Sequence, residues 1–250
     1  MKNFKLIYIF SILGLFLTSC DPSVESPGES DASFVTYLPL ITLEGGDVTL
    51  DCDASTYTDP GAVASAGGNE IELFTSVNGI YFGGNTVDGP DTYSITYSAF
   101  NDDEIPAAGF RTVIWPACNG DLVNSIAGMY TASILRTATS GATVNYTTRA
   151  FGPYFIIDLG GGVYQLSDAI GGFYEYGYGY GPDYAATGLT VTANNIATND
   201  FTHDDVIGVG AFGGSLNMTD FSVNPVTKTI EFATDWSFGY VFEVTLTQVQ

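Results

Sequence analysis

The chain has 250 residues, of which 45% are hydrophobic, so it holds enough apolar side chains for a packed core and is not a disordered acidic polypeptide. Only 6 basic residues stand against 28 acidic ones, which gives a formal net charge of −22. This charge excludes nucleic acid as a partner, because phosphate binding requires clustered lysine and arginine side chains.

The first twenty residues predict a lipoprotein signal peptide over 1–19. Lys2 and Lys5 precede an apolar run from Leu6 to Leu17, which is too short to span a bilayer as a helix. The run ends in Leu17-Thr18-Ser19-Cys20, which resembles the lipobox of bacterial lipoproteins. This resemblance implies cleavage before Cys20, acylation of that cysteine and attachment to a membrane through the lipid. The alternative is an ordinary secreted protein in which Cys20 is incidental.

Residues 20–33 are predicted to be the lipidated cysteine followed by a flexible acidic tether. The stretch from Asp21 to Asp31 is rich in proline, serine, glycine and acidic residues and has no apolar period. Acidic residues directly after the cysteine resemble the surface-export signals of lipoproteins from Bacteroidetes. That resemblance implies a lipid-anchored protein of the outer membrane that is exposed at the cell surface.

Residues 34–118 contain short strands separated by turns. From Tyr93 to Ala99, large apolar residues alternate with small polar ones, which predicts a strand with one buried face. Further strands are predicted at Val48 to Leu50, Ile71 to Phe74 and Phe110 to Trp115.

Three segments of this region resemble a bacterial immunoglobulin-like domain. They are Tyr57-Thr58-Asp59-Pro60-Gly61-Ala62, the tyrosine-rich stretch from Gly89 to Tyr97, and Arg111-Thr112-Val113. The resemblance implies an N-terminal immunoglobulin-like sandwich that serves as a spacer and carries no catalytic residues. An insertion from Asp102 to Pro106 departs from the family's pattern between the last two strands.

Two states are open to Cys52 and Cys118, the cysteines that remain once Cys20 is acylated. Export through an oxidising compartment permits a disulfide between them, which would stabilise the fold by roughly 4 kcal/mol. The other state is a pair of buried free thiols. A zinc site is not expected, because neither cysteine has a second Cys or His at ligand spacing and His203 is the only histidine. No cofactor is expected.

Residues 121–250 are predicted to form a second β domain, so the predicted fold class is all-β. The last three strands form a meander, because Asn224-Pro225 and the stretch from Asp235 to Gly239 supply turns. Sequential strands of this kind favour an antiparallel β-barrel, closed or nearly closed, or else a sandwich. The predicted strands are Ala127 to Arg136, Thr143 to Ala150, Tyr154 to Leu159, Gly162 to Leu166, Leu189 to Ala193, Val206 to Val209, Ser215 to Val223, Thr227 to Thr234 and Tyr240 to Val249.

The stretch from Gly162 to Tyr174 resembles part of a known C-terminal domain. That domain follows the immunoglobulin-like domain in surface lipoproteins of Bacteroidetes, near glycan-uptake systems. The resemblance implies a location and a neighbourhood, and it supplies no mechanism.

A run of tyrosines is the candidate ligand-binding site. The tyrosines recur at every second residue from Tyr174 to Tyr180, so in an extended segment all four rings project to one side. Phenol rings stack on sugar rings, and their hydroxyls bond to sugar hydroxyls. Trp236 is expected at a hairpin tip, where its indole has no core to fill. The alternative is that the tyrosines fill the barrel or pack within a compact loop. The full candidate set is Tyr174, Tyr176, Tyr178, Tyr180, Tyr184, Trp236, Asp168 and Asp183.

Neither a metal site nor catalysis is predicted. The stretch from Asn199 to Asp205 carries three carboxylates that could bind Ca²⁺, but its spacing matches no calcium loop. A solvated acidic turn is favoured there and at Asp102-Asp103-Glu104. The protein is not expected to be an enzyme, because His203 has no nucleophile at a recognised spacing and no pair of carboxylates stands out as a glycosidase pair.

Two functional hypotheses remain. The first is a lipid-anchored cell-surface protein that binds a neutral glycan and assists polysaccharide uptake, with the membrane and an outer-membrane uptake complex as its partners. The second is a structural or docking lipoprotein of an outer-membrane complex that binds no small ligand. In the second case the aromatic residues would form a protein interface, because tyrosine and tryptophan are enriched there too.

Overall fold

The computed structural model describes residues 35–250, and this part of the chain is all-β, as predicted. It contains seventeen strands, labelled β1 to β17 in chain order, and helical segments of five residues or fewer. None of the helical segments between residues 35 and 250 has the length and hydrophobicity that a transmembrane helix needs. The predicted signal peptide, Cys20 and the whole of the tether lie outside the described residues.

Two small sheets form the N-terminal part of the structure. One has the order β1-β3-β4 and the other the order β2-β7-β6-β5, in which β2 pairs parallel to β7. Their strands are β1 (Leu40–Leu43), β2 (Val48–Thr49), β3 (Ala62–Ala66), β4 (Asn69–Glu70), β5 (Phe74–Gly79), β6 (Asp91–Phe100) and β7 (Pro106–Trp115). The predicted strand from Ile71 to Phe74 is wrong in place, because β5 starts only at Phe74.

The two sheets share one core. On β6, Tyr93, Ile95 and Tyr97 are buried, whereas the residues between them face outward. Ile41 and Leu43 of β1 pack against this cluster. The alternation in the sequence therefore marks the inner face of a two-layer β arrangement. The finer assignment to the immunoglobulin-like class stays a prediction.

The sequence segments behind the immunoglobulin-like resemblance meet at Arg111. This guanidinium is fully buried, forms an ion pair with Asp59 and donates to the Tyr97 hydroxyl at 2.6 Å. It also donates to the Gly61 carbonyl at 3.1 Å, and the Tyr57 hydroxyl donates to Asp59 at 3.3 Å. The separate motifs thus form a single polar network that fixes loop 57–61 against β6 and β7.

The C-terminal part is one antiparallel sheet of ten strands. Its order is β13-β12-β11-β10-β8-β17-β16-β15-β14, with β9 also pairing with β8. The strands are β8 (Gly128–Ala138), β9 (Thr143–Asn145), β10 (Phe151–Gly160), β11 (Val163–Leu166), β12 (Thr190–Asn195), β13 (Asp200–Thr202), β14 (Val206–Val209), β15 (Gly213–Asn224), β16 (Thr229–Trp236) and β17 (Tyr240–Gln248).

This sheet curls around its core like half a barrel. The strands β13 and β14 end the sheet on its two sides. Side chains bring the two sides together instead of backbone pairing, because the rings of Phe201 and Phe221 lie 4.7 Å apart and the Asn199 side chain accepts a hydrogen bond from the Val223 amide at 2.7 Å. The C-terminal part is therefore closer to the predicted nearly closed barrel than to a two-sheet sandwich.

A disulfide joins Cys52 to Cys118, with the two Cα atoms 4.9 Å apart. Of the two states that the sequence leaves open, the structure has the bridge. The bridge links the turn after β2 to the connection between β7 and β8.

Tyr81, which follows β5, reaches from the small sheets into the curled sheet. Its ring lies 6.2 Å from the Phe155 ring. Its hydroxyl donates to Glu175 Oε1 at 2.6 Å and lies 2.8 Å from the Tyr176 hydroxyl. These contacts attach the tyrosine-rich segment to the N-terminal part at its buried end.

Candidate binding site

The tyrosine run begins as a helix and continues as a loop from Tyr178, so the expected extended segment is wrong. Phe173–Gly177 forms one turn of π-helix. The turn before it places Gly171 and Gly172 at φ +69° and +84°, where a side chain would be strained. A Cβ at Gly171 would also come within 2.8 Å of Val244 Cγ1. These glycines therefore let the chain turn tightly against the sheet and begin a helix.

The Asp168 side chain stabilises this turn through hydrogen bonds. Its carboxylate accepts hydrogen bonds from the backbone amides of Ile170, Gly172 and Ala186 at 2.8–2.9 Å. Burial raises the pKa of Asp168 to about 6, although these hydrogen bonds act in the opposite direction. The expected contact of Asp168 with a ligand does not fit its exposure of only 2%. Asp168 instead fixes the backbone conformation directly before the tyrosine run.

The candidate tyrosines divide into a buried and an exposed group. Tyr174 is 6% exposed, and its hydroxyl accepts a hydrogen bond from Arg136 Nη1 at 3.2 Å. Tyr176 is half-buried and bonds to Tyr81. Tyr178 and Tyr180 are 42% and 50% exposed. Core filling therefore describes Tyr174, whereas Tyr178 and Tyr180 have the exposure that a ligand platform requires.

Trp236 is buried, so its predicted exposure at a hairpin tip is wrong. It is the last residue of β16, it is 3% exposed, and its indole N–H donates to the Gly213 carbonyl at 3.0 Å. The inward alternation of β16 directs its ring against Tyr174, with the ring centroids 6.1 Å apart. The side chain at the hairpin tip is that of Phe238, which is 57% exposed.

Four exposed rings pack against buried Tyr174 or Trp236 and make up what we call the aromatic surface: Tyr178, Tyr180, Phe212 and Phe238. Half-buried Tyr184 joins two of them, because its ring lies 5.2 Å from Tyr180 and 4.8 Å from Phe212. Phe212 lies between β14 and β15, far from the tyrosine run in sequence. The sequence analysis missed Phe212 and Phe238, since each stands alone beside a glycine and no periodicity marks it.

A buried aromatic layer supports the aromatic surface. The Tyr174 ring lies parallel to the Tyr180 ring at 6.3 Å and meets the Phe212 ring at 4.9 Å. The Trp236 ring lies 4.6 Å from Phe238. Exposed rings that rest on a packed layer keep few conformations, so a ligand that contacts them restricts little further motion.

Arg136 adds a positive charge below this layer. Its guanidinium carbon lies 4.8 Å from the centre of the Phe173 ring and 4.5 Å from that of Tyr240. Cation–π contacts of this kind stabilise the charge between the rings. Asp183 is exposed between Tyr180 and Tyr184, and it is the candidate carboxylate that reaches the surface.

The acidic stretch after β12 is engaged by its own neighbours. Asp205 Oδ2 accepts hydrogen bonds from the amide and hydroxyl of Thr190, and Asp200 accepts one from Asn194. Between residues 35 and 250, no three His, Cys, Asp or Glu side chains lie close enough together to hold a metal ion. The chemistry available at the aromatic surface is thus stacking and hydroxyl hydrogen bonding.

Comparison with known proteins gives three findings. The crystal structure of the lipoprotein BT2262 from Bacteroides thetaiotaomicron is similar, with a TM-score of 0.55, 25% sequence identity and coverage of 84% of this chain and 100% of that chain. No curated protein matches. Residues 119–248 match the model of a family described as a "-like, C-terminal domain", and the match starts directly after Cys118. Because this model spans more than half of the chain, the protein belongs to that family of C-terminal domains.

Proposed function

We propose that the protein is a lipid-anchored lipoprotein of the outer membrane that binds a neutral glycan at the cell surface and assists polysaccharide uptake. The observation that carries the binding proposal is the aromatic surface on its buried aromatic layer. The similarity to a Bacteroides lipoprotein supports the anchoring. The proposal assigns the protein no catalytic step.

The chemistry of the aromatic surface favours a carbohydrate. The rings of Tyr178 and Tyr180 offer apolar faces to the C–H groups of a sugar, and their hydroxyls can bond to sugar hydroxyls. The net charge of −22 disfavours acidic polysaccharides and leaves neutral ones. Shallow aromatic platforms usually give micromolar to millimolar dissociation constants, which corresponds to about 4–8 kcal/mol.

Anchoring is tested by the substitution Cys20→Ser, which removes the acylation nucleophile and leaves residues 21–250 unchanged. We expect the protein to leave the washed outer-membrane fraction, because an anionic membrane surface repels a protein with a net charge of −22. Cell fractionation with immunoblotting measures the change. Recovery of the variant in washed outer membranes at the wild-type amount would contradict the anchor.

Glycan binding is tested by Tyr180→Ala in the unacylated chain from residue 21 to 250. Tyr180 is 50% exposed, so the free energy of unfolding should fall by no more than about 1 kcal/mol. Loss of a stacking ring should weaken the binding of a neutral polysaccharide by about 1–3 kcal/mol. Glycan arrays identify the polysaccharide, and calorimetry measures its affinity.

Phe110→Ala provides the matched control for this experiment. Phe110 is 62% exposed, and it lies on β7 in the N-terminal part. This variant should bind the polysaccharide as the wild type does. Equal loss of binding in both variants, or no binding to any member of a broad neutral panel, would contradict the proposed site.

A second candidate function is docking to another outer-membrane protein. It is favoured by Phe212 and Phe238, which supply two of the four exposed rings and carry no hydroxyl for a sugar. Affinity capture from membranes, with the wild type and a Phe238→Ala variant, distinguishes the two functions. A stoichiometric partner that depends on Phe238 and that no polysaccharide displaces would establish docking and exclude glycan capture.

A further inference from the structure

A second surface site lies on the N-terminal part. A cleft of about 460 Å³ opens on the outer face of the sheet β2-β7-β6-β5, and it is lined by Glu72, Phe74, Phe100 and Glu104. Phe74 is the first residue of β5 and pairs with Ser98 of β6, so Phe100 lies diagonally beside it on the same face. The register of β5 and β6 therefore places the two phenylalanine side chains next to each other.

The two phenylalanines form the apolar walls of the cleft. They are 48% and 51% exposed, their ring centroids are 6.4 Å apart, and their planes meet at 67°. This is an edge-to-face arrangement, and the exposed face of an aromatic ring carries partial negative charge that attracts a cation. Neither ring contributes to the core, which lies on the opposite face of β6.

No basic side chain in the described part of the chain pairs with the two glutamates. The described part of the chain has four basic side chains, and each is engaged elsewhere: Arg111 with Asp59, Arg136 with the Phe173 and Tyr240 rings, Arg149 with the Tyr146 ring, and Lys228 with the Asp121 carbonyl. Exposed Asp102 and Asp103 precede Glu104 in the turn between β6 and β7 and add further negative charge. The cleft thus combines aromatic walls with carboxylates that have no basic partner among residues 35–250.

We propose that this cleft binds an organic cation, with the positive charge between the two carboxylates and the carbon substituents against the two phenylalanine rings. The ligand class is a quaternary ammonium or guanidinium group. A small metal ion fits less well, because the cleft offers only two carboxylates and Ca²⁺ requires six to eight oxygen ligands. The cation is either a free molecule or a basic side chain of a partner protein.

The test uses pairs of probes that differ in charge and share a shape. Choline and its uncharged isostere 3,3-dimethylbutan-1-ol represent a free molecule, and N-acetylarginine amide and N-acetylcitrulline amide represent a side chain. Binding to the whole chain after its signal peptide, with Cys20→Ser, is followed by NMR titration at about 0.15 M salt, which screens the general attraction of an acidic protein for cations. We expect millimolar binding of a cation and at least fivefold weaker binding of its isostere.

Substitutions then test whether the cation binds in this cleft. Phe100→Leu and Glu104→Gln should each weaken binding about fivefold, which is the expected contribution of one ring or one charge. Phe110→Leu, on the same face of the sheet, and Tyr180→Ala, at the aromatic surface, should bind as the wild type does. Preference for choline identifies a free molecule as the source of the cation, and preference for the arginine probe identifies a partner's side chain.

Three results would overturn the proposal. They are binding of an isostere as tight as that of its cation, wild-type binding by both cleft variants, and no binding of either cation at tens of millimolar. In any of these cases, Phe74 and Phe100 form only a cross-strand pair that stabilises the sheet. Because Tyr180 belongs to the other site, failure here leaves the proposed glycan binding standing, and the reverse also holds.

Discussion

The substitution Arg111→Met should lower the free energy of unfolding by about 3–5 kcal/mol. The Arg111 side chain is fully buried, pairs with Asp59 and donates from Nη2 to the Glu44 carbonyl at 2.7 Å. Methionine fills a similar volume but leaves the Asp59 carboxylate and the surrounding carbonyls without their donor. Urea denaturation of both proteins measures the difference.

Arg149→Met is the matched control, since it makes the same chemical change at an exposed arginine. Its guanidinium lies over the Tyr146 ring, so we expect a loss of about 1 kcal/mol or less. If Arg111→Met costs no more than this control, the buried network does not fix loop 57–61 against β6 and β7 as described.

Stability should fall as the pH rises from about 4.5 to 7, and Glu175 should account for about 3 kcal/mol of the loss. Burial is the main cause that raises the pKa of Glu175 to about 7, with a smaller contribution from the charge of Asp168, whereas the hydrogen bonds from Tyr81 and Tyr176 lower it. Its Oε2 atom finds no hydrogen-bond partner among the described residues. The unfolded chain releases this proton near pH 4.3.

The sign follows from the protons bound in each state. Between pH 4.3 and 7 the folded protein holds a proton at Glu175 that the unfolded chain has lost, so the free energy of unfolding falls by about 1.4 kcal/mol per pH unit. Above pH 7 both states are ionised, and this residue causes no further loss. Asp168, whose pKa is raised to about 6, acts in the same direction.

The substitution Glu175→Gln isolates the contribution of Glu175. Glutamine can still accept the Tyr81 hydrogen bond but does not titrate, so urea denaturation at pH 5 and pH 8 should show about 3 kcal/mol less pH sensitivity in the variant. Glu231→Gln, at an exposed position of β16, should leave the pH profile of the wild type unchanged. Parallel pH profiles of the wild type and Glu175→Gln would contradict this reading of the buried carboxyl.

The sequence predicts best those strands that have one buried face and one solvent-exposed face. In β17, buried Phe242, Val244 and Leu246 alternate with less buried residues, and the register aligns them with the buried residues of β16. This period of two follows directly from strand geometry and is therefore visible in the sequence. The same holds for β6, where the alternation marks the inner face of the sheet.

The tyrosine run is a segment whose backbone conformation the side-chain period does not predict. Its alternation from Tyr174 to Tyr180 also has a period of two, yet the segment begins as a helix. The conformation is set upstream, by the buried Asp168 carboxylate and by two glycines at positive φ. A pattern of side chains does not reveal that kind of backbone constraint. Half of the aromatic surface, Phe212 and Phe238, comes from loops that only long-range packing brings together.

The disulfide gives the molecule a second covalent route between its ends. Along the backbone, the strands β3 to β7 lie between Cys52 and Cys118, a separation of 66 residues, whereas the bridge joins these positions directly. Residues 83–86, between β5 and β6, are exposed and lie within the bypassed segment. A protease that cuts this loop would therefore not release the curled sheet from the N-terminal end of the chain. Under oxidising conditions, the aromatic surface would remain covalently joined to the N-terminal end of the chain through the disulfide.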